Sequence, residues 1–281
     1  MGQVKAPQRI RRSLEQRREH YEIERVLADR LRNASTEERK QLYAATYNEL
    51  FQSVPHHPQL LLKQDVATRE RIVADQLRLL RPLLAPSSTF LEIGAGDCQI
   101  SIAVAHFVRQ VYAVEVSEEI VRSVEAPANV TLLLSDGTSI PVPAASVTLA
   151  YSNQVMEHLH PDDALAQLRQ IYAALVPGGK YLCITPNRLS GPHDVSRFFD
   201  QEATCLHLKE YTSGELTDLL RGVGFRRVYT LLTLGRWQLK LPILLIRLIE
   251  LLLGWLPYTL HRRIGRGLPV RKFLGKVVAV K

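Results

Sequence analysis

The rhythm of apolar and polar positions changes twice along the chain. Between 8 and 33 the residues are densely charged, and Ile10, Leu14, Ile23, Val26, Leu27 and Leu31 recur at helical spacing. That spacing predicts a helix with a narrow apolar stripe. "NAS" at 33–35 breaks it, and Ser35 or Thr36 caps a second helix with Glu38 in the first turn. This helix turns Leu42, Tyr43, Tyr47, Leu50 and Phe51 toward a partner surface and ends at "VPHHP" (54–58). A third helix is predicted over 66–84, stopped by Pro86.

From residue 88, strand-like runs alternate with helical ones. The strands are predicted at 89–94, 110–116, 130–136, 146–153, 179–186 and 226–233, with helices over 98–108, 118–124, 161–175 and 213–222 between them. Alternation with buried β-branched strands indicates a doubly wound α/β fold, a mostly parallel sheet with helices on both faces. Ligands bind such sheets outside the C-terminal strand ends. After 233 the rhythm changes again. "LPILLIRLIELLLGWLP" (241–257) is the most apolar stretch, "HRRIGRG" follows, and "FLGKVVAVK" reads as one last strand. A helical element is therefore inserted before the final strand.

Three strand ends carry chemistry. The first reads "LEIGAGD". Gly94 and Gly96 allow a tight turn and close approach of a ligand, and the next helix starts near Asp97 or Cys98 with its amides facing the same spot. A dinucleotide loop would need a third glycine where Gln99 stands. Glu92 and Asp97 would also repel a pyrophosphate, and they suit a ligand with a cationic amino group. Glu115 ends the second strand, 19 residues after Gly96, where an acid can accept from both hydroxyls of a ribose. Asp136 ends the third and can accept from an adenine amino group, although an ordinary Asp-Gly turn is the simpler reading of it. An amino acid, a ribose and an adenine without phosphate describe S-adenosylmethionine.

At this point the sequence resembles the class I S-adenosylmethionine-dependent methyltransferases. "LEIGAGD", "AVEVS", "SDGTSIPVPAASVTLAYSNQVMEHL" and "LVPGGKYLCITPN" carry the resemblance, which spans roughly 70–235 and the last strand. It is strongest to the small-molecule (type 11-like) branch, which includes quinone and sugar methyltransferases. The resemblance implies a seven-stranded sheet with an antiparallel last strand, "KVVAVK". It divides the chain into an N-terminal helical cap (1–70) acting as a lid, a cofactor-binding core (71–235), a helical insertion (236–270) and a final core strand (271–281). It implies S-adenosylmethionine contacts at Glu92, Gly94, Ala95, Gly96, Asp97, Glu115, Val116, Asp136, Gly137, Asn153 and Gln154.

The donor sulfonium is reactive, so the protein must chiefly align an acceptor. A hydroxyl acceptor also needs a base. Candidates are His193 with Asp194 as its orienting neighbour, then His207, Tyr211 and, one turn after Gln154, His158; methylation without any protein base stands beside them. The acceptor is expected to be a small or lipid-linked molecule, methylated on oxygen or carbon. The alternatives are a non-catalytic cofactor-binding scaffold of the same fold, or an RNA or protein methyltransferase. "YSNQ" stands where amino-group methylation of nucleobases usually shows an "N-P-P-Y" type motif.

Charge sharpens the reading of the C-terminal part. Residues 236–281 hold ten basic residues against the single acid Glu250, whereas the rest of the chain is almost balanced. Arg247 and Glu250 are i,i+3 partners on one helix face, with Lys240 and Gly254 near it and a broad apolar arc opposite. Three readings follow: a helical pair packed on the enzyme or a second subunit, as in a homodimer; an interfacial helix on an anionic membrane; or a nucleic-acid contact, disfavoured because aromatics do not interleave the basic residues. The apolar run is shorter than the roughly 20 residues that span a bilayer. With three scattered cysteines, neither a disulfide framework nor a metal site is expected. No apolar leader opens the sequence, and a cytoplasmic protein is expected, peripheral on the inner membrane face in the second reading.

Overall fold

One sheet of eight strands organises the chain. The strands are β1 (Thr89–Ile93), β2 (Gln110–Glu115), β3 (Val130–Leu134), β4 (Val147–Asn153), β5 (Leu175–Ile184), β6 (Arg227–Leu234), β7 (Trp237–Pro242) and β8 (Lys276–Val280). Their order is β3-β2-β1-β4-β5-β8-β6-β7. The first five pair in parallel, and β8 runs antiparallel between β5 and β6. This computed structural model describes residues 12–234, 237–267, 270 and 273–281. Ile10, Arg236, Arg271 and Lys272 lie outside the described residues.

The doubly wound sheet and its antiparallel last strand match the expectation, and β7 is additional. It extends the edge beside β6 as a hairpin partner, with Leu231 opposite Lys240 and Leu232 opposite Leu239. The cause is local: Trp237, Leu239 and Leu241 alternate with Gln238 and Lys240, the period of a strand. The apolar helix therefore starts only at Ile243, and Lys240 lies outside it.

Ten helices of the described residues surround the sheet. Before β1 come α1 (Leu14–Asn33), α2 (Thr36–Ser53), α3 (Pro58–Gln64) and α4 (Val66–Leu80); after β1 come α5 (Gln99–Ala105), α6 (Glu118–Ser123), α7 (Pro161–Ala174), α8 (Ser213–Val223), α9 (Ile243–Gly254) and α10 (Tyr258–Arg266). Ser35 and Glu38 form a capping box at α2, and Asp65 caps α4 at the Thr68 amide; each satisfies backbone N–H groups that have no intrahelical partner.

Period-2 alternation splits the core across the sheet. Leu91 and Ile93 pack with Leu27, Leu31, Tyr43, Leu168 and Leu216 on one face. Phe90 packs with Leu80, Ile100 and Val104 on the other. Glu92 shares the Phe90 face by the same alternation. The cap is fixed to the first face by a buried cluster. Arg39 of α2 donates from Nε and Nη2 to the two oxygens of Asp163 at 2.5 and 2.9 Å, and the Tyr43 hydroxyl donates to Asp163 at 2.6 Å.

On α9 the charged pair turns inward and does not pair with itself. Glu250 accepts from the amides of Ser213 and Gly214 at 2.6 and 2.9 Å, at the N-terminus of α8, and from Asn187 Nδ2 at 2.7 Å. Arg247 donates to the Gly214 carbonyl and to Asp218. Ile243, Ile246 and Leu253 join a small core with Phe273 and Leu274. Ile249 packs partly against it, whereas Leu244, Leu245, Leu248, Leu251 and Leu252 of α9 are exposed, as is Trp255 beyond it.

Candidate functional site

The first loop is held open on one side and closed on the other. Gly94 and Gly96 have φ of +68° and +55°, a region that favours glycine. A Cβ on Gly94 would come within 2.6 Å of Val155 Cγ2, whereas one on Gly96 would meet nothing within 4 Å. Ala95 is buried beneath the turn, and Asp97 is partly exposed at its rim. Glu115 folds back over this loop. Its Oε2 accepts from the Gly96 amide at 2.7 Å, and its Oε1 accepts from the amides of Val116 and Ser117 at 2.8 and 3.1 Å.

Asp136 follows β3. Its Oδ1 takes the Thr138 and Ser139 amides at 2.9 and 2.7 Å, an Asx-type turn. Burial pushes this carboxyl up, but those amides outweigh it and hold it below its ordinary value. Gly137 next to it has φ +94°, and a Cβ there would strike the Tyr43 ring at 2.7 Å. Asn153 ends β4, and Gln154 is exposed with φ +59°. Four loops thus follow the C-terminal ends of β1 to β4.

Glu92 departs from the expectation. Its side chain points to α5, where Ser101 Oγ donates to it at 2.6 Å, and burial pushes its carboxyl up to about 8. The flanking negative charge inferred from the sequence rests on Asp97, because Glu92 is mostly neutral at pH 7. Its position supports the loop from below.

A belt of polar side chains lies beyond the ends of β4 and β5. His158 stacks edge-on against Tyr47 of α2 and against His207, with centroids 5.7 and 4.9 Å apart. Its Nδ1 donates to the Leu206 carbonyl at 3.0 Å. Burial, then the neighbouring His207, lowers its pKa to about 3, so it stays neutral. His207 Nδ1 donates to Glu210 at 2.7 Å. Burial alone would lower His207, but Glu210, Glu157 and Asp194 raise it to about 9; it is a cation near neutral pH and a poor base. Tyr211 is buried, and burial keeps its phenol protonated.

His193 and Asp194 do not act as a pair. Asp194 accepts from Ser196 and from the Cys205 and His207 amides. The carboxylate that holds His193 is Glu210, which accepts from its Nδ1 at 3.2 Å and from its amide at 2.7 Å. Burial raises Glu210, but its bonds to the two histidines pull it down to about 2. Sequence adjacency singled out Asp194. The signal for Glu210 was its i,i+3 spacing from His207.

Residues 90–179 match the model of a methyltransferase domain. The segment from β1 to β5 is thus a methyltransferase domain. No curated protein matches it. The fold is similar to an S-adenosylmethionine-dependent methyltransferase from Archaeoglobus fulgidus, with 19% identity and a TM-score of 0.51 over 76% of this chain and 94% of that one. It is also similar to a chain of the Haloferax volcanii complex that contains the Trm112 methyltransferase activator, with 15% identity, a TM-score of 0.52, and 75% and 93% coverage. At these identities the likeness is one of fold.

The loops after β1 to β3 have residues that fit S-adenosylmethionine. The space over Gly96 is the kind of cradle a Cβ would obstruct. Glu115 has spare acceptor capacity after three N–H bonds, and Asp136 Oδ2 has no hydrogen-bond partner among the described residues. The C-terminal hairpin joins the other side of the site: Arg266 of α10 donates to the carbonyls of Ser190 and Pro192 at 2.7 and 2.9 Å. Among the described residues no helix is long and apolar enough to cross a membrane.

Proposed function

We propose that this methyltransferase methylates a small or lipid-linked acceptor at an anionic membrane surface, on oxygen or acidic carbon. The observation that carries this reading is the inversion of α9. Its two charged residues face inward onto α8, while Leu244, Leu248 and Leu251 stand 73%, 53% and 53% exposed. A helix on a water-facing surface places its residues the other way round. Trp237, Leu239, Trp255, Leu260 and Ile264 extend the apolar surface, and Lys240, Arg263 and Arg266 are exposed beside it. That combination suits the boundary between acyl chains and anionic headgroups. Because α10 is bonded to Ser190 and Pro192, the same surface leads to the loop that carries His193.

When bound, S-adenosylmethionine supplies an electrophilic methyl group. In this reading the loop of Gly94, Ala95, Gly96 and Asp97 receives its amino-acid end, Glu115 and Val116 its ribose, and Asp136 and Gly137 its adenine. Asn153 and Gln154 border its methionine part. His193 takes the proton of a hydroxyl acceptor at Nε2, the nitrogen that Ser190 Oγ contacts at 3.1 Å, while Glu210 fixes the other nitrogen as the donor. Incubation of the protein with label in the transferable methyl group and a total lipid extract tests the reading. Label in an organic-extractable product is expected. Label confined to RNA or protein would overturn it in favour of a macromolecular acceptor, and cofactor binding without any transfer would favour a scaffold.

A further inference from the structure

The polar belt contains three ligand-type atoms that converge on one point. One ligand atom each from Glu157, His158 and His207 lies within 4.8 Å of the others. Their outward bonds decide which atoms these are. The Leu206 carbonyl can only accept, so His158 carries its proton on Nδ1, and its Nε2 keeps a lone pair. The Glu210 carboxylate holds the Nδ1 proton of His207, so a metal ion that displaces the other ring proton of His207 would be held at its Nε2. Glu157 Oε2 accepts from Thr185 Oγ1 at 2.9 Å. Glu157 Oε1 is buried with no hydrogen-bond partner, on a side chain with no exposure at all. A buried carboxylate oxygen left alone is costly.

We propose that Glu157, His158 and His207 form a binding site for a single divalent transition-metal cation of the zinc class. Two imidazole nitrogens and one carboxylate oxygen are the protein ligands of an open catalytic zinc site. The outer bonds fit as well: ligating histidines donate their other ring N–H to a carbonyl or a carboxylate, as His158 and His207 do here. Around a tetrahedral ion such ligands stand about 3.4 Å apart, so the three side chains close by an ångström or so when it binds. The region is anionic, since Asp194 accepts from the His207 amide at 3.4 Å and Glu210 holds its ring.

The other clusters of this kind are already satisfied. At His20, Glu24 and His57, the Arg12 guanidinium donates to His20 Nδ1 and the Gln59 amide donates to His57 Nδ1. Both rings therefore carry their proton on Nε2, toward Glu24, where a metal would need a lone pair. At Glu24, Asp194 and Cys205, burial pushes the thiol well up, and Asp194 is already taken by Ser196 and two amides. His207 of the Glu157 site belongs to the segment between β5 and α8. The chemical role of that site, though not its binding, rests on the acceptor reading above: the open position would take an acceptor oxygen and lower its pKa.

Cobalt(II) titration of the tag-free, chelator-treated full chain tests the site without acceptor, cofactor or vesicles. One equivalent of cobalt should bind with the visible absorption of a tetrahedral nitrogen–oxygen site, and zinc should displace it. Glu157→Gln and His207→Gln should each weaken binding by at least about 100-fold. Glu210→Gln, which keeps all three ligands, should weaken it about 10-fold or more. His57→Gln should leave it unchanged. Circular-dichroism melts identify any variant that fails to fold. Absence of the cobalt spectrum, or a spectrum lost in His57→Gln and kept in folded Glu157→Gln, would overturn the proposal. Neither result touches the lipid-acceptor reading, whose own failure would leave cobalt binding intact.

Discussion

Glu250 is the residue whose removal should most reveal how the C-terminal hairpin is held. It is 7% exposed and collects three N–H donors: the first two amides of α8 at 2.6 and 2.9 Å and Asn187 Nδ2 at 2.7 Å. The amides belong to the helix end that has no intrahelical acceptors and carries partial positive charge. Hydrogen bonds to a charged acceptor are worth roughly 1.5–3 kcal/mol each, and buried donors left unpaired cost similar amounts. Asn187 keeps a weaker bond to Ser213 Oγ at 3.3 Å, so the loss falls mainly on the two amides. Glu250→Ala should therefore cost about 3–5 kcal/mol. For a chain of this size that is about 6–10 °C in melting temperature. Glu250→Gln should recover little, because its NH2 group would face a donor. Scanning calorimetry at pH 7 reads the shift, and limited proteolysis should show new cleavage within 243–267. A Glu250→Ala melt within about 1 °C of the native protein would refute the reasoning, since the amides would then have found another acceptor at no cost.

Three further outcomes are expected. The double substitution Leu248→Ser, Leu251→Ser removes two half-exposed leucines worth about 1 kcal/mol each on insertion; co-sedimentation with anionic vesicles should weaken about 30-fold. Unchanged binding, or a dimer that the same change dissociates, would assign the face to a second copy. Glu115→Ala should weaken S-adenosylmethionine binding by at least about 10-fold in calorimetry, and unchanged affinity would remove the ribose assignment. Glu92 has a folded pKa of about 8 against an ordinary 4.5, so its contribution is greatest below 4.5 and is lost as pH rises through 8. Glu92→Gln should gain on the native protein by about 3–4 kcal/mol between pH 5 and 8 in denaturant titrations, and parallel pH profiles would contradict the burial argument.

The loops after β1 to β3 were legible because they lie on single strand ends. A glycine pair after an apolar run, and acids at the ends of the next two strands, are short-range patterns. The two capping signals of α2, Ser35 and Glu38, are also local and occur as read. Contacts between distant segments were not legible. Glu210 and Asp194 are equally acidic in the sequence, and only the fold of the 187–212 segment brings the former to His193. Likewise Arg247 and Glu250 share a helix face, but their partners on α8 lie some 30 residues away. Strand β7 is a different case. Its alternation was present in Trp237 to Leu241 but was masked by the apolar run that follows it.

The cluster of Arg39, Tyr43 and Asp163 bears on how such a protein can be cut and recombined. Asp163 sits in α7 and has no exposed surface. Both of its side-chain partners come from a segment more than 100 residues earlier. A chain shortened at residue 70 would leave that acid stranded inside the remaining half, and a foreign cap without an equivalent Arg and Tyr would do the same. Domain grafting among related folds therefore has its natural joint before α1, and α2 must travel with α7 as one inherited piece.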